Sequence, residues 1–366
     1  MKEILVTLSL EERHKAKLEA AAPDCAFTYA SGDALTKEMV QQAQVIIGNP
    51  KPSWIAGSER LELLQLFSAG ADPYLKPGIL APATALTNAT GAYGKAVSEH
   101  AFAMTLMLQK KLHCYRDFQH EHAWKDAGMV TSLSDATVLV VGLGDIGLAY
   151  AKLVKAMGAR VIGVKRRPGP CPEGIDELCL NAEVDQVLPR ADVIFSILPG
   201  TADTFHFYTA ERFAAMKKSA IFINCGRGSA VSMEVLAEAL RKGEIAAAGI
   251  DVVETEPLPP ESELWELPNL LITSHVAGNF HLADILEQVV NIACDNLRAH
   301  LAGQPLRNVV DFFHWLQEIE QIPENALENT ASLWYTEKAG ASVKIRMETR
   351  LSCRSKPKRA ACGQIP

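Results

Sequence analysis

Short apolar runs of strand type alternate with stretches of helical type in the first part of the chain. The apolar runs lie at residues 4–8, 45–48 and 63–67, and the helical patterns lie at residues 11–22 and 36–42. Strand and helix in turn are typical of a parallel sheet covered by helices. The pattern therefore predicts an α/β domain at the start of the chain.

The same alternation restarts with greater clarity after residue 137. Six strand-type runs follow, with helical patterns between most of them: residues 138–141, 161–164, 193–198, 220–224, 249–252 and 270–273. Six such strands are enough for a complete doubly wound sheet of the size that binds a dinucleotide. We therefore expect a second α/β domain.

Two long amphipathic segments, residues 96–124 and 281–301, flank this second block. Their apolar residues recur at helical spacing, which predicts two long helices. The pattern at residues 305–311 then predicts a short closing strand or extended segment. The arrangement indicates that the chain enters the second domain from the first and returns afterwards. The predicted first domain comprises residues 1–100 and 281–313, and the predicted second domain comprises residues 101–280.

Composition excludes several classes of protein. The 366 residues carry 48% hydrophobic and 22% charged side chains, which is ordinary globular usage. A net charge of −7 gives the whole chain no electrostatic reason to bind nucleic acid or an anionic membrane. Residues 314–366 differ, because they combine weak periodicity with eight basic and six acidic residues. We predict a disordered or atypical tail there.

The cysteine pattern and the N-terminus indicate a cytoplasmic protein. The eight cysteines stand singly without a C-x-x-C pair, which favours reduced thiols over a disulfide framework or a zinc site. No signal peptide is apparent, and the apolar stretch at residues 101–108 is far shorter than the roughly 20 residues that span a bilayer. His113, Cys114, His120 and His122 lack a completing carboxylate and a shared direction, so we expect no metal site.

A glycine-rich turn follows the first strand of the second block. The strand at residues 137–141 runs into Gly142, Gly144 and Gly147, in the G-x-G-x-x-G pattern that opens a helix. The first glycine permits the tight turn, the second admits a pyrophosphate and the third lets helix pack on strand. With Asp145 and Ile146, these glycines form a predicted dinucleotide site at a helix N-terminus.

The next strand ends in basic residues where NAD-binding proteins carry an acid for the ribose hydroxyls. Lys165, Arg166 and Arg167 occupy this place. Guanidinium groups can bind a 2′-phosphate in bidentate fashion, and an ammonium attracts it as a point charge. We therefore predict that NADP(H) is preferred and NAD(H) is possible, the alternative being a solvated basic cluster.

Three downstream segments each follow an apolar strand, at the end where open α/β sheets gather ligands, and they carry Arg227, Glu256 and His275. An arginine can grip the carboxylate and carbonyl oxygen of a 2-oxo acid. A histidine can protonate that oxygen as hydride arrives, and a neighbouring carboxylate stabilises the imidazolium. The hypothesis is that Arg227 binds substrate, His275 is the acid/base and Glu256 tunes it. Taken singly, they also fit a surface arginine, a loop acid and a satisfied histidine.

These segments make the chain similar to the D-isomer-specific 2-hydroxyacid dehydrogenase family, from about residue 45 to residue 311. The similarity implies two doubly wound parallel-sheet domains, a flavodoxin-like substrate domain and a Rossmann coenzyme domain, which hinge on the two long helices. It also implies reduction of a small 2-oxo acid, or the reverse oxidation, and a homodimer. The matching segments are residues 67–72 and 97–100, the glycine motif, the Arg227, Glu256 and His275 segments, and residues 296–298 and 305–311.

The resemblance also implies roles for individual residues. The turn formed by Ser68, Ala69, Gly70 and Ala71 would offer backbone amides to the substrate carboxylate. Leu198 and Pro199 would line the adenine pocket, and Thr204 would lie near the cofactor phosphates. Asp251 would hold the nicotinamide amide, and Cys225 and Gly278 would touch the cofactor through their backbone.

Two positions depart from the family pattern. Ser274 stands where relatives commonly have proline before the histidine, and Lys165 replaces the family acid. The second departure agrees with a preference for NADP(H). Two other functions stay open: NAD-dependent oxidation of a D-2-hydroxy acid, as in phosphoglycerate dehydrogenase, and a non-catalytic NAD(H)-sensing protein that resembles the corepressors of this fold.

Overall fold

The computed structural model describes residues 1–310, and the predicted tail lies outside them. Within these residues the strands form two sheets in which all pairings are parallel. Two parallel α/β sheets confirm the predicted fold class.

The first sheet has the strand order β2-β1-β3-β4-β5, which is the flavodoxin-like order. Its strands are short, and the pattern did not predict β2, which is only half-buried, or the three-residue β5. The strands are β1 (Glu3–Val6), β2 (Ala26–Tyr29), β3 (Val45–Ile47), β4 (Leu63–Gln65) and β5 (Ala85–Thr87).

The second sheet has the order β12-β11-β10-β9-β6-β7-β8, so the chain reverses direction across the sheet between β6 and β9. This is the Rossmann order with one strand added at the β12 edge. The six predicted strands are confirmed. The sequence pattern did not predict β8, which lies at the edge of the sheet opposite β12. The strands are β6 (Thr137–Val141), β7 (Arg160–Lys165), β8 (Glu177–Leu180), β9 (Val193–Ser196), β10 (Ile221–Asn224), β11 (Ala247–Ile250) and β12 (Leu270–Ile272).

Helices connect most of the strands, and no helix among the described residues is long and apolar enough to cross a membrane. The α-helices are α1 (Glu12–Ala21), α2 (Lys37–Gln42), α3 (Pro52–Ile55), α4 (Gly94–Gln109), α5 (Leu112–His120), α6 (Asp145–Ala156), α7 (Val184–Val187), α8 (Ala210–Ala215), α9 (Met233–Arg241) and α10 (Ala283–Leu301). Short 3-10 helices lie at Gly32–Ala34, Asp72–Tyr74, Leu133–Asp135, Asn181–Glu183, Leu188–Arg190, Ala202–Thr204, Gly228–Ala230 and Glu263–Glu266.

The prediction of one continuous helix over residues 96–124 was wrong. Helix α4 ends at Gln109, and Lys111 adopts a left-handed backbone with φ 55° before α5 begins. The reason is burial: α4 inserts Val97, Ala101, Met104 and Leu108 into an apolar core, whereas α5 has no buried residue. The apolar stripe that produced the helical pattern belongs mainly to α4.

Helix α4 joins the two sheets, because its apolar core contains side chains from both of them. It packs against α6, β10 and β11 of the second sheet, so the domain boundary predicted at residue 100 falls within a helix that serves both halves. Helix α10 returns to the first sheet, where it packs on α1 and β4. The closing strand predicted at residues 305–311 is reduced to a single antiparallel bridge between Val309 and Thr87.

A buried polar cluster anchors this returning segment to the first sheet. Asn296 of α10 donates to Gln65 Oε1 at 2.6 Å, and Thr87 donates to the same oxygen at 2.8 Å. Asn296 also accepts from the Arg307 amide at 2.8 Å and donates to the Arg307 carbonyl at 3.0 Å. Since Asn296 is only 1% exposed, water cannot replace these partners.

Asn296→Leu is expected to lower the free energy of unfolding by about 2–4 kcal/mol, because it removes one of the two donors to Gln65 Oε1 and the side-chain partner of the Arg307 amide and carbonyl. Urea denaturation measures the change. Arg298→Ala, at an exposed position of the same helix, is the matched control and should change stability by less than about 0.5 kcal/mol. Equal stability of Asn296→Leu and the control would contradict the anchoring role.

Candidate active site

The glycine-rich turn joins β6 to α6 with its backbone tightly folded. Gly142 has φ 107°, a conformation that side chains rarely adopt. A Cβ on Gly147 would lie 2.0 Å from the Gly142 carbonyl oxygen, so only glycine fits there. Gly144 is exposed at the N-cap of α6, with no atom near the position of a Cβ, and Asp145 and Ile146 begin the helix. The N-terminal amides of α6 can therefore approach a phosphate group.

The basic residues lie beside this turn. Val164 pairs with Val141, and its carbonyl accepts from the Gly142 amide at 3.0 Å, so Lys165 directly borders the glycine turn. Arg166 and Arg167 are exposed at the same edge, and Lys165 Nζ donates to the Pro170 carbonyl at 3.1 Å. Three cationic residues thus lie at the end of β7, beside the glycine turn.

The segment that follows β9 lies at the same edge of the sheet as the glycine turn. Leu198 is buried, Pro199 is exposed, and a Cβ on Gly226 would come within 2.6 Å of the Leu198 backbone. The Thr204 hydroxyl donates to the Pro199 carbonyl at 2.5 Å and accepts from the Thr201 amide at 2.9 Å. Thr204 therefore fixes the shape of this loop through its side chain.

Arg227 lies on the loop that follows β10, and Asn224, the last residue of β10, stabilises this loop. Asn224 is fully buried; its side chain accepts from the Gly226 amide at 3.1 Å and donates to the Arg227 carbonyl at 3.1 Å. A Cβ on Gly228 would lie 1.9 Å from the Val253 carbonyl oxygen, so this loop packs directly on the loop that follows β11. That second loop carries Glu256.

Glu256 and His275 form a direct pair. Nδ1 of His275 lies 2.8 Å from Glu256 Oε2, and the other carboxylate oxygen accepts from the Val253 amide at 3.2 Å. His275 has φ 53°, and its amide donates to the Asp251 carbonyl at 2.7 Å. Within residues 1–310, Nε2 of His275 forms no hydrogen bond. This ring nitrogen is available to a ligand.

Asp251 is buried beneath the His275 loop. Its Oδ1 accepts from the Thr273 hydroxyl at 2.6 Å and from the Val276 amide at 2.9 Å, and its Oδ2 accepts from the Ala277 amide at 3.1 Å. His100 of α4 contacts the same Thr273 hydroxyl at 3.0 Å. The carboxylate of Asp251 therefore shapes the loop on both sides of His275.

The turn at residues 68–71 lies in the first domain. The Ser68 side chain donates to the Gly70 carbonyl at 2.6 Å and accepts from Asn49 at 2.9 Å, while Asn88 donates to the Ala69 carbonyl at 2.8 Å. Among the described residues, the amides of Ser68, Ala69, Gly70 and Ala71 donate to no acceptor. A rigid turn with free amides is suited to an anionic group.

Arg227 connects the turn to the second domain. Its guanidinium donates to Asp72 Oδ2 from Nη2 at 3.0 Å and from Nε at 3.3 Å. A Cβ on Gly70 would lie 1.6 Å from Nη2, so the guanidinium packs against the turn itself. The structure thus brings together the turn at residues 68–71 and Arg227, and separately pairs Glu256 with His275.

Cys225 and Gly278 complete the set of predicted residues. Burial raises the pKa of the Cys225 thiol, so it is a poor nucleophile and its backbone is the part available for contact. Gly278 faces the ring of Tyr93, whose hydroxyl donates to the Phe67 carbonyl. Burial raises the pKa of Tyr93, which keeps this hydroxyl protonated as a donor.

Sequence reasoning missed the parts that three residues play in shaping the site: Asp72 beside Arg227, and His100 and Thr273 beside Asp251. Asp72 is the last residue of the segment at residues 67–72, which the family resemblance had identified, but the sequence did not show that Arg227 is its partner. The contact joins residues 155 positions apart in the sequence, and no local pattern signals such a pair.

Comparison with known proteins gives consistent matches. A family model described as D-isomer specific 2-hydroxyacid dehydrogenase, NAD binding domain, matches residues 102–277. Glyoxylate/hydroxypyruvate reductase B of Escherichia fergusonii is 40% identical over 179 residues, which cover 48% of this chain and 53% of that relative. The alignment therefore spans about half the length of that curated relative.

Solved structures match over most of the chain. A D-isomer specific 2-hydroxyacid dehydrogenase from Xanthobacter autotrophicus, in complex with NADPH and MES, is 27% identical with a TM-score of 0.74, covering 86% of this chain and 99% of that chain. A D-isomer specific 2-hydroxyacid dehydrogenase family protein from Aeromonas salmonicida is 32% identical with a TM-score of 0.75, covering 85% of this chain and 99% of that chain. This chain therefore belongs to the D-isomer specific 2-hydroxyacid dehydrogenase family.

Proposed function

We propose that the protein is an NAD(P)H-dependent reductase that converts a small 2-oxo acid to a D-2-hydroxy acid and catalyses the reverse oxidation. The observation that carries the proposal is the His275–Glu256 pair, with 2.8 Å between Nδ1 and Oε2 and a free Nε2. Family membership and the name of the Escherichia fergusonii relative, glyoxylate/hydroxypyruvate reductase B, support the same reaction class.

The residues of the second sheet fit a dinucleotide. Gly142 and Gly147 leave no room for a Cβ, and the exposed N-terminus of α6 can receive the pyrophosphate. Leu198, Pro199, Thr204, Asp251 and the backbone at Cys225 and Gly278 would surround the remainder of the cofactor. When bound, the reduced nicotinamide supplies the hydride.

The chain's own residues would bind the substrate and move its proton. The amides of the turn at residues 68–71 and the guanidinium of Arg227 would hold the carboxylate, and Arg227 would also polarise the carbonyl. His275 would deliver the proton from Nε2 to the carbonyl oxygen during reduction and take it back during oxidation. The Glu256 carboxylate, bonded to Nδ1, would fix the ring and stabilise its protonated form.

His275→Ala is expected to lower kcat for 2-oxo acid reduction by about 10²- to 10⁴-fold, because it removes the proton donor. NADPH oxidation, followed by absorbance against a panel of 2-oxo acids, measures this change, and fluorescence titration should show unchanged NADPH affinity. His206→Ala is a matched control, because His206 pairs with Glu254 at 2.7 Å on the neighbouring loop. Turnover in His275→Ala that stays within threefold of the wild type would exclude the mechanism.

We further propose that NADPH is preferred over NADH. Lys165, Arg166 and Arg167 lie at the carboxyl end of β7, beside the glycine turn, where a 2′-phosphate would meet concentrated positive charge. The Xanthobacter autotrophicus relative, whose structure contains NADPH, supports this preference.

Replacing Arg166 and Arg167 together with alanine should reduce the ratio of kcat/KM for NADPH to kcat/KM for NADH by about tenfold or more, the loss expected for charge-assisted hydrogen bonds. The NADH value serves as an internal reference, because that cofactor lacks the 2′-phosphate. Lys242→Ala, which removes a lysine paired with Glu238, tests for a general effect of charge. An unchanged ratio in the double variant would contradict the preference.

We also propose a homodimer formed through α5 and the segment at residues 121–130. This segment exposes five large apolar side chains, and the Tyr115 hydroxyl, which lies 3.1 Å from Asp126, links α5 to the residues that follow it. A contiguous exposed apolar patch on a folded protein typically marks an interaction surface. Its exposed side chains are Leu112, Tyr115, Trp124, Met129 and Val130.

Trp124→Ser should weaken dimer formation by about 30-fold, because a large aromatic side chain at the centre of an interface typically contributes about 2 kcal/mol or more. Sedimentation equilibrium measures the dissociation constant. Met157→Ser removes an exposed apolar side chain outside the patch and should leave the constant unchanged. A wild-type chain that is monomeric at micromolar concentration would refute the proposal.

A further inference from the structure

Asp72 lies where the two domains meet, outside the residues that would bind the cofactor or move the proton. It directly follows the turn at residues 68–71 and begins a short 3-10 helix. Its carboxylate faces the guanidinium of Arg227, which belongs to the other domain. One short segment of the first domain thus carries both the free amides and the counterion of the arginine.

The contact uses a defined part of the guanidinium. Nε and one N–H of Nη2 donate to Asp72, and one N–H of Nη1 donates to the Gly226 carbonyl at 3.0 Å. A guanidinium has five N–H donors, so one remains on each terminal nitrogen. Two donors on adjacent nitrogens are what a carboxylate or a carboxylate–carbonyl pair requires for bidentate binding.

The Asp72 carboxylate contacts two segments of the second domain. A Cβ on Gly200 would lie 2.7 Å from its Oδ1, while its Oδ2 accepts both bonds from Arg227. The carboxylate is thus held between the guanidinium and the segment that follows β9. The Asp72 side chain is 31% exposed, so these contacts orient the carboxylate without enclosing it.

We propose that Asp72 is a positioning residue, which holds Arg227 against the turn at residues 68–71 with its remaining N–H groups available to a 2-oxo acid. The proposal rests on the proposed function, since it assigns the substrate carboxylate or carbonyl to those donors. In a different arrangement, Asp72 would be a competing counterion that the substrate displaces. The two arrangements differ in what removal of the charge does to anion binding.

The test uses Asp72→Asn, which preserves size and removes the charge. Loss of positioning should lower kcat/KM for the 2-oxo acid by about 10- to 100-fold, the range expected when a binding group is misplaced. It should also weaken the binding of oxalate, an unreactive dianion, to the NADPH complex in calorimetry. NADPH affinity and the melting temperature should match those of the wild type.

A double-mutant cycle separates this role from a general structural one. In an Arg227→Ala background, Asp72→Asn should have almost no further effect on oxalate affinity, because Asp72 acts through Arg227. Asp24→Asn, an exposed aspartate of the same domain, is the matched control. If Asp72→Asn unfolds the protein, Asp72→Ser gives the same comparison, because it also removes the charge.

Three results would overturn the positioning role: tighter oxalate binding in Asp72→Asn, wild-type kcat/KM in that variant, or additive effects in the cycle. A wild-type protein that reduces no 2-oxo acid would instead overturn the proposed function. The oxalate measurements would still test Asp72 in that case, since they require no turnover.

Discussion

Parallel pairing of β10, β11 and β12 is the constraint on which the candidate site depends. Ile223 pairs with Gly249, and Gly249 pairs with Leu271, so the three strands end side by side at one edge. The loops that leave this edge carry Arg227, Glu256 and His275, which are far apart in the sequence. Asp251, the first residue after β11, then uses its buried carboxylate to hold the loop that contains His275.

The second sheet supplies only part of the site, and the remainder comes from the first domain. The turn at residues 68–71 has free amides, whereas the loops of the second sheet carry the His275–Glu256 pair; in the proposed mechanism the turn binds the substrate carboxylate and the pair moves the proton. Contacts between the domains join the two parts: Arg227 with Asp72, and the rings of Phe67 and Phe280, whose centres are 5.6 Å apart. Correct packing of α4 against both sheets is therefore a condition for a complete site.

The sequence predicted those features that depend on local pattern. Long apolar runs and three spaced glycines identify β6, the turn after it and the strands that carry Arg227, Glu256 and His275. The edge strand β8 was missed, because Glu177–Leu180 is only partly buried and lacks a continuous apolar run. The end of α4 was missed because Lys111 adopts a left-handed backbone without the glycine that usually signals one.

Features that depend on contacts between distant segments could not be predicted from the local sequence pattern. The pairing of Arg227 with Asp72 and the cluster of Asn296, Gln65 and Thr87 each join segments that meet only in the folded protein. The role of an isolated polar residue depends on what the fold places opposite it, and a loop aspartate looks the same in the sequence whatever its partner. Resemblance to a family identified positions in these segments without revealing their contacts.

The backbone of His275 has a consequence for how this position can change. A φ of 53° is readily adopted by glycine, whereas a residue with a Cβ adopts it at a cost of about 1 kcal/mol or more. Glycine, however, has no ring to face Glu256. A glycine at this position would relieve the backbone cost and leave the Glu256 carboxylate without its imidazole partner. The backbone at this position thus favours glycine, whereas the contact with Glu256 requires a histidine side chain.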